Sequence, residues 1–421
     1  MHYAMYSNDQ YSKHRPLPPL PFDNYLLSPH RLLMAYPSNH PQRAGDDAAG
    51  IDVTDEFERF NQRNDIFTRA FWDERVRSKQ TDAFFASYRM EAAPRRGDGF
   101  TQRDFALRNA SWLISDLISE RGGETGKREG FQAPIDNDTP IAPTQEPVDD
   151  PVAMAREIKR IAKFFGADLC GITEMDDRWL YAARVDTRDF SDAPNDLPEG
   201  MTSVIVMGHQ MDEELVATYP SALAGAATGR EYSHEASIVM QLAAYIRNLG
   251  YQATASMNDT GLVIPYAIKA GLGEYARNQM VITPEYGPRL RFSKVFTSLP
   301  LAHDPPKPLG VRAFCDICAK CADACPVKAL PYGPPETTED QSAIKGVRKW
   351  TSDAAKCFGF WAKLSSDCAI CMRVCPFNRD FTQWRHRLWL TLALSPFRRF
   401  ALWLDRNRGK RAKPTDWWQS P

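Results

Sequence analysis

Eight of the nine cysteines in this 421-residue chain lie between positions 315 and 375, at spacings that suit metal ligands. Cys315, Cys318, Cys321 and Cys325, followed by Pro326, are answered by Cys368, Cys371 and Cys375, followed by Pro376. The first run has the spacing of two-cluster iron–sulfur carriers, in which three thiolates hold one cubane and the fourth ligates the other. The second run lacks its leading cysteine, and Cys357 can supply it from a short way upstream. This pattern assigns Cys315, Cys318, Cys321 and Cys375 to one [4Fe–4S] cluster and Cys325, Cys357, Cys368 and Cys371 to the other. Such a pair moves single electrons. Structural zinc also accepts four thiolates, but zinc ribbons separate their knuckles, whereas each run here closes with Cys-Pro after a three-residue gap. Clustered cysteines in an otherwise cysteine-poor chain without a secretory signal read as ligands rather than a disulfide framework. Cys170, in Ala167-Asp168-Leu169-Cys170-Gly171-Ile172, is expected to be a buried inert thiol.

The composition, 25% charged and 43% hydrophobic, is ordinary for a chain of two or three globular domains. A net charge of −1 argues against general nucleic-acid binding. The longest apolar stretches, such as Leu388 to Leu394, fall far short of the roughly 20 residues that span a bilayer. Met1 to Asn24 is polar and proline-rich, and Arg95-Arg96 lacks the apolar segment of a twin-arginine signal, so a cytoplasmic protein is expected. From Phe381 to Pro421, nine Lys or Arg face only Asp405 and Asp416, among Trp384, Trp389, Phe397, Phe400, Trp403, Trp417 and Trp418. A basic aromatic tail can lie on a membrane surface or dock an acidic electron carrier. The expectation here is that it packs its aromatic face on the cluster segment.

The elements that must hold these ligands fall into five segments. Residues 1–120 carry helical patterns at Asp55–Arg75 and Asp104–Glu120. Residues 121–150, with Gly122-Gly123, Pro134, Pro140, Pro143 and Pro147, read as a linker. A core at 151–304 opens on a helix from Pro151 that stops at Gly166. Strand-like runs at Asp168–Ile172, Ser203–Met207 and Val281–Thr283 then alternate with helices at about Glu231–Asn248 and Val263–Ala270, an α/β (α+β) pattern. Gly271-Leu272-Gly273 follows a helix rather than a strand and reads as its cap, so no flavin or nicotinamide site is evident. The cluster segment at 305–380 and the basic tail at 381–421 complete the chain.

Several stretches together carry a family likeness. They are Asn258-Asp259-Thr260-Gly261, Pro265-Tyr266-Ala267, Ala270-Gly271-Leu272-Gly273, and Ile282-Thr283-Pro284-Glu285-Tyr286-Gly287-Pro288-Arg289-Leu290-Arg291 running on to Lys294-Val295-Phe296-Thr297. Upstream lies Phe57-x-Arg59-Phe60-x-Gln62-x-Asn64-x-x-Phe67-x-Arg69-Ala70. In this ordered set, from about residue 55 to 380, the chain resembles the cobalamin-dependent reductive dehalogenases.

The resemblance implies a nitroreductase-like core that binds a corrinoid beside a ferredoxin-like domain with two [4Fe–4S] clusters. It implies removal of halogen from a small organohalide, with two electrons relayed to cob(I)alamin. The cobalamin would be base-off, and none of the eight histidines stands in an Asp-x-His-x-x-Gly context. Tyr232 matches the family's tyrosine acid, Arg291 and Lys294 match positions that supply positive charge, and Asn258 matches a polar pocket residue. A free phenol has a pKa of roughly 10, and nearby cations are expected to lower it. Electrons would come from an outside ferredoxin, flavodoxin or reductase. Respiratory members open with a twin-arginine signal, so the resemblance points here to a catabolic or detoxifying role inside the cell.

Two alternatives stay open. Epoxyqueuosine reductase shares the corrinoid core and the double cluster pattern but uses an aspartate acid on tRNA. Gly229-Arg230-Glu231-Tyr232 is similar to its Gly-Arg-Asp-Tyr signature, with Glu231 in the acid's place. A cluster-bearing electron carrier without catalysis would satisfy the cysteines alone. Aryl or alkyl substrate and oligomeric state are not legible.

Overall fold

The structure, a computed structural model, describes residues 43–89, 96–124, 139–186, 188–406 and 408–419. Residues 1–42 and 90–95 of the expected N-terminal segment, and 125–138 of the expected linker, lie outside these. Helices α1 (Arg43–Ala49), α2 (Ile66–Trp72), α3 (Lys79–Ala86) and α4 (Gln102–Glu124) come first. The core follows with α5 (Pro151–Phe165), β1 (Leu169–Glu174), β2 (Arg184–Val185), β3 (Asp192–Ala193), β4 (Ser203–Gln210), α6 (Glu213–Ala217) and α7 (Ala222–Asn248). It continues through β5 (Ala253–Ser256), α8 (Val263–Lys269), β6 (Glu274–Tyr275), β7 (Val281–Ile282) and β8 (Leu290–Thr297). The cysteine-rich segment holds α9 (Val311–Ile317), α10 (Lys320–Ala324), α11 (Ala354–Leu364) and α12 (Ile370–Arg373), and the tail holds α13 (Trp384–Ala393), α14 (Arg398–Leu404) and α15 (Pro414–Gln419).

Four strands form the central sheet in the order β1-β4-β8-β5, every pair antiparallel. Strands and helices alternate as the sequence suggests, yet the pairing makes the core α+β. Layers cover both faces. On one, Ile205, Met207 and Val295 pack with Ile238, Val239 and Leu242 of α7; on the other, Val204, Val206 and Phe296 pack with Tyr266 and Ala267 of α8. A side chain of this kind contributes about 1.5–3 kcal/mol when fully buried. A strand covered on both faces is continuously apolar, which is why Ser203–Met207 is readable.

The opening helix α5 forms as expected, with Asp150 accepting from the Val152 amide and Gly166 closing it at φ 116°. Gly271 (φ 70°) caps α8 in the same way. The helix expected at Asp55–Arg75 does not run that length. Asp65 accepts from the Phe67 amide at 2.9 Å and starts α2 only there. Upstream, the chain is held extended, with Ala182 donating to the Phe60 carbonyl and Gln62 donating to that of Ala183.

Helix α7 begins nine residues before the expected Glu231, so Tyr232 sits inside the helix rather than at its start. Gly225 and Gly229 disguise its first turns. Both are there for close approach, since a Cβ at Gly225 would lie 2.4 Å from the Asp367 carboxylate and one at Gly229 2.3 Å from the Trp112 indole. Alanine at a helical glycine normally gains up to about 1 kcal/mol, whereas overpacking costs about 1–3 kcal/mol. At 2.3 Å the clash wins: Gly229→Ala is expected to lower the melting temperature of the protein by a few degrees, and a rise would show that Trp112 can move.

The N-terminal helices wrap the rest of the chain. Helix α4 lies along α7, while Phe67 of α2 and Phe84 of α3 meet Phe358 of α11 at ring distances of 4.9 and 5.5 Å. In the tail, Trp389 packs inward as expected and Trp418 donates to Asp104, but Trp384, Phe397, Phe400 and Trp403 are exposed. Among the described residues no helix is long and apolar enough to cross a membrane.

Candidate functional site

Cys315, Cys318, Cys321 and Cys375 surround a small internal space together with Arg277, Phe314 and Phe377. In the second set neighbouring thiols add to one another's shifts: Cys325 acts on Cys357, both act on Cys368, and Cys357, Cys368 and Cys321 act on Cys371. Burial is the larger cause throughout, pushing Cys321 and Cys368 up to about 12 and Cys357 to about 11. Thiols so buried ionise only when a metal replaces their protons. No three His, Cys, Asp or Glu among the described residues form a group that could hold a single metal ion. The first set brings four thiols to one common space, the donor set that an iron–sulfur cluster uses. Backbone supports are in place, with Arg277 donating to the Cys315 and Cys318 carbonyls and the Ala329 amide 3.3 Å from the Cys325 sulfur. Cys170 packs against the core, its thiol pushed up to about 12 by burial.

Beside these sets lies a cavity of about 500 Å³. Three walls meet around it. One comes from the N-terminal pattern, through Phe60, Gln62 and Phe67; another from α7, β8 and the turn after β5; the third from the cysteine segment, where Ala354 and Asp367 stand close to Cys357 and Cys368 in sequence.

Three of the four expected catalytic residues line this cavity: Tyr232, Asn258 and Arg291. Antiparallel pairing sets Arg291 opposite His209 and aims that face of β8 at α7. The Asn258 amide donates to the Tyr232 hydroxyl at 2.8 Å, and the Arg291 guanidinium lies 3.7 Å from the centre of the Tyr232 ring. Arg291 also reaches Asn258 Oδ1 at 3.4 Å. Trp112 of α4 stacks on the other side of the phenol, ring centres 4.7 Å apart.

Lys294 is placed differently. It is fully buried and absent from the cavity wall, and its ammonium donates to the carbonyls of Met257 at 2.7 Å and Asp259 at 3.1 Å. It braces the turn that carries Asn258. Asp259 ties the same turn from within by accepting from the Met257 amide, and Thr260 adopts a left-handed φ of 68°. Strain of that kind persists where the surroundings over-determine it.

Burial raises the Tyr232 pKa to about 12, outweighing the lowering by Arg291 and Asn258. The expected net lowering by cations is therefore reversed, because a phenol enclosed between Trp112 and Arg291 has lost the water that would solvate its anion. Glu235, one turn further along α7, was not singled out in the sequence. Its buried carboxylate lies 3.8 Å from Arg291 and is pushed up to about 8, mainly by burial, with Glu231 adding to the shift and Arg291 and Lys294 opposing it. Trp112 and Glu235 owe their places to tertiary contacts, and no local pattern announces either. Glu231 is buried and turned away from the cavity wall, with Arg230 at 3.4 Å and His234 at 3.6 Å.

Residues 314–378 match the family described as a 4Fe-4S double cluster binding domain. The tetrachloroethene reductive dehalogenase of Sulfurospirillum multivorans is 31% identical over 378 residues, covering 78% of this chain and 74% of that one. That of Dehalobacter restrictus is 35% identical over 271 residues, covering 55% of this chain and 49% of that protein, so the chain spans about half the length of this relative. A catabolic reductive dehalogenase solved with 3-bromo-4-hydroxybenzoic acid shares the fold, with a TM-score of 0.68 and 24% identity over 86% of this chain and 48% of that one. With three quarters of a relative covered at this identity, the chain belongs to the reductive dehalogenase family.

Proposed function

We propose that this chain reductively removes halogen from a small organohalide, using a base-off corrinoid in the cavity, two [4Fe–4S] clusters and a proton from Tyr232. The observation that carries the reading is the position of the Tyr232 hydroxyl in the cavity wall, hydrogen-bonded to Asn258 and beneath Arg291, while the residues beside Cys357 and Cys368 line the same space.

The residues present fit a large flat cofactor. The cavity, of about 500 Å³, mixes apolar side chains such as Phe60, Trp112 and Ile264 with polar ones such as Asn258 and Arg291. The Trp112 indole N–H is buried without a hydrogen bond although its ring lines that space. When bound, the corrinoid supplies a strongly reducing cobalt centre to the carbon–halogen bond. Clusters held by the two cysteine sets would supply its electrons one at a time.

The chain's own residues supply the rest. At neutral pH the phenol of Tyr232 is held protonated by burial. It gives its proton only to a much stronger base, such as the carbanion left when halide departs. Asn258 fixes the hydroxyl's direction, and Arg291 stabilises both the phenolate that forms and the departing anion. Lys294 acts through the turn, as a positioning residue. Trp112 and the α2 segment exclude water from the phenol.

Glu235 makes this arrangement pH-dependent. It faces Arg291 and Lys294 from β8 and Glu231 and Tyr232 on its own helix, with His209 opposite Arg291 on β4. Below about pH 8 its carboxyl is neutral and leaves Arg291 its full charge; above that the carboxylate competes for it. Activity is expected to fall as pH rises through about 8, and Glu235→Gln is expected to remove that limb. An unchanged profile in the variant would assign the limb elsewhere.

A tRNA-modifying reading would put the acid at Glu231, which the fold keeps out of the cavity wall. The function is tested by incubating reconstituted protein and reduced methyl viologen with tetrachloroethene and with 3-bromo-4-hydroxybenzoic acid. Release of one halide per two electrons is expected from at least one, and reductant consumed without halide would count against it.

A further inference from the structure

Six of the fourteen exposed large apolar side chains among the described residues fall on two adjoining helices, α13 and α14. Trp384, 77% exposed, and Leu388 stand one turn apart on α13, opposite the buried Trp389, Leu390 and Ala393. Phe400, Trp403 and Leu404 share one side of α14, with Phe397, 66% exposed, at its start. The Phe400 and Trp403 rings stack at 5.8 Å. Monomeric proteins rarely leave such a patch without a partner.

The charges around it have one dominant sign. Arg385, Arg399, Arg406 and Arg408 are exposed. Asp405 is buried and committed to Lys320 and Arg379, and Asp380 is engaged by Thr382 and Gln383, which leaves Asp416 on the separate helix α15. Trp, Phe and Arg around an apolar centre are the residue types of protein-binding hot spots.

What lies beneath identifies the partner's chemistry. The inner face of this hairpin closes the first cysteine set: Trp389 meets Phe314 at 5.7 Å and Phe377 at 5.5 Å, and these pack with Cys315, Cys318 and Ala401. One helix, about 10–12 Å thick with side chains, and the Phe314–Phe377 layer beneath it lie between the exposed rings and those thiolates. A lipid surface would satisfy the aromatic and basic residues, but would leave unexplained why the patch sits over a redox centre.

We propose that the exposed face of α13 and α14 docks an acidic one-electron carrier protein, which reduces the cluster held by Cys315, Cys318, Cys321 and Cys375. The inference rests on the two-cluster reading and is independent of which halide is removed. In the step, one electron leaves a flavodoxin hydroquinone, giving its semiquinone, and enters the oxidised cubane, [4Fe–4S]2+ becoming [4Fe–4S]1+. No bond to the protein forms or breaks.

The test uses the cluster-loaded protein, iron analysis first establishing that both clusters are present. Bleaching of cluster absorbance is followed after rapid mixing with flavodoxin hydroquinone or with reduced methyl viologen, and binding of oxidised flavodoxin is measured by calorimetry. Two double variants are compared, Trp384→Ser with Trp403→Ser, and Arg385→Glu with Arg399→Glu. Both are expected to slow reduction by flavodoxin and weaken its binding about tenfold or more, while methyl viologen reduces them at the wild-type rate. The wild-type rate with flavodoxin should fall steeply with added salt, as a steered charged encounter does. Equal flavodoxin rates in wild type and variants, or a wild-type rate indifferent to salt, would overturn the proposal. So would variants that lose only binding to phosphatidylglycerol vesicles, which would make the patch a membrane contact instead.

Discussion

Replacing Tyr232 by phenylalanine is expected to lower dehalogenation at least a hundredfold while iron and corrinoid content stay unchanged. General acids contribute about 10²–10⁴-fold, and the second phenol in the wall, Tyr181, donates to the Asn258 carbonyl at 2.7 Å, whereas Tyr232 meets the Asn258 amide and Arg291. The substitution keeps the ring between Trp112 and Arg291 and removes only the hydroxyl, so packing survives. Asn258 loses its acceptor, a cost of about 1–3 kcal/mol if its amide is left unpaired, which is felt in stability rather than in cofactor content. Halide release with methyl viologen as donor measures the effect. A variant within a few-fold of wild type would move the proton to water or another group, and Glu231→Gln would then be the next substitution to test.

The second large effect concerns the crossing of the two cysteine runs. Cys325→Ala is expected to damage the cluster shared with Cys357, Cys368 and Cys371, although Cys325 belongs by sequence to the first run. Cys375→Ala is expected to damage the cluster of Cys315, Cys318 and Cys321. Each change should take the protein from about eight iron atoms per chain toward about four, since a cubane that loses a thiolate is readily lost. The EPR spectrum of reduced Cys325→Ala should match that of Cys368→Ala and differ from that of Cys315→Ala. If it matched Cys315→Ala instead, each run would serve its own cluster. The placement of Cys375 among the first set, in a common wall with Cys315, Cys318 and Cys321, supports the crossed arrangement.

Much of this was legible in the sequence where the chemistry is local. The cysteines of each run stand a few residues apart and so could be picked out by spacing, and the fold brings Cys375 to the space lined by Cys315, Cys318 and Cys321. Asp150 and Gly166 marked the ends of α5 for the same reason, since caps act within one turn. The start of α7 was hidden by Gly225 and Gly229, which are weak helix formers kept for the approach of Asp367 and Trp112. Strand β8 was unreadable because Ser293, Lys294 and Thr297, fully buried, interrupt its apolar pattern, and their hydrogen bonds reach Met257, Gln252 and His209, residues far away in sequence. The cavity itself is assembled from segments spread between Ala49 and Asp367, and nothing local encodes it. Tyr232, Asn258 and Arg291 could be named together only through the family resemblance. What the resemblance left open, the position of Lys294 and the exclusion of Glu231 from the cavity wall, follows from the way α7, β8 and the turn at Asn258 pack.

The central claim is that a corrinoid occupies the cavity beside two clusters. Anaerobic reconstitution of the purified chain with iron, sulfide and hydroxocobalamin, followed by metal analysis and cobalt EPR, tests it most directly. About eight iron, eight sulfide and one base-off corrinoid per chain is the predicted result, the iron and sulfide being those of two cubanes. A protein that fills both clusters yet retains no corrinoid would contradict the account and leave an electron carrier in its place.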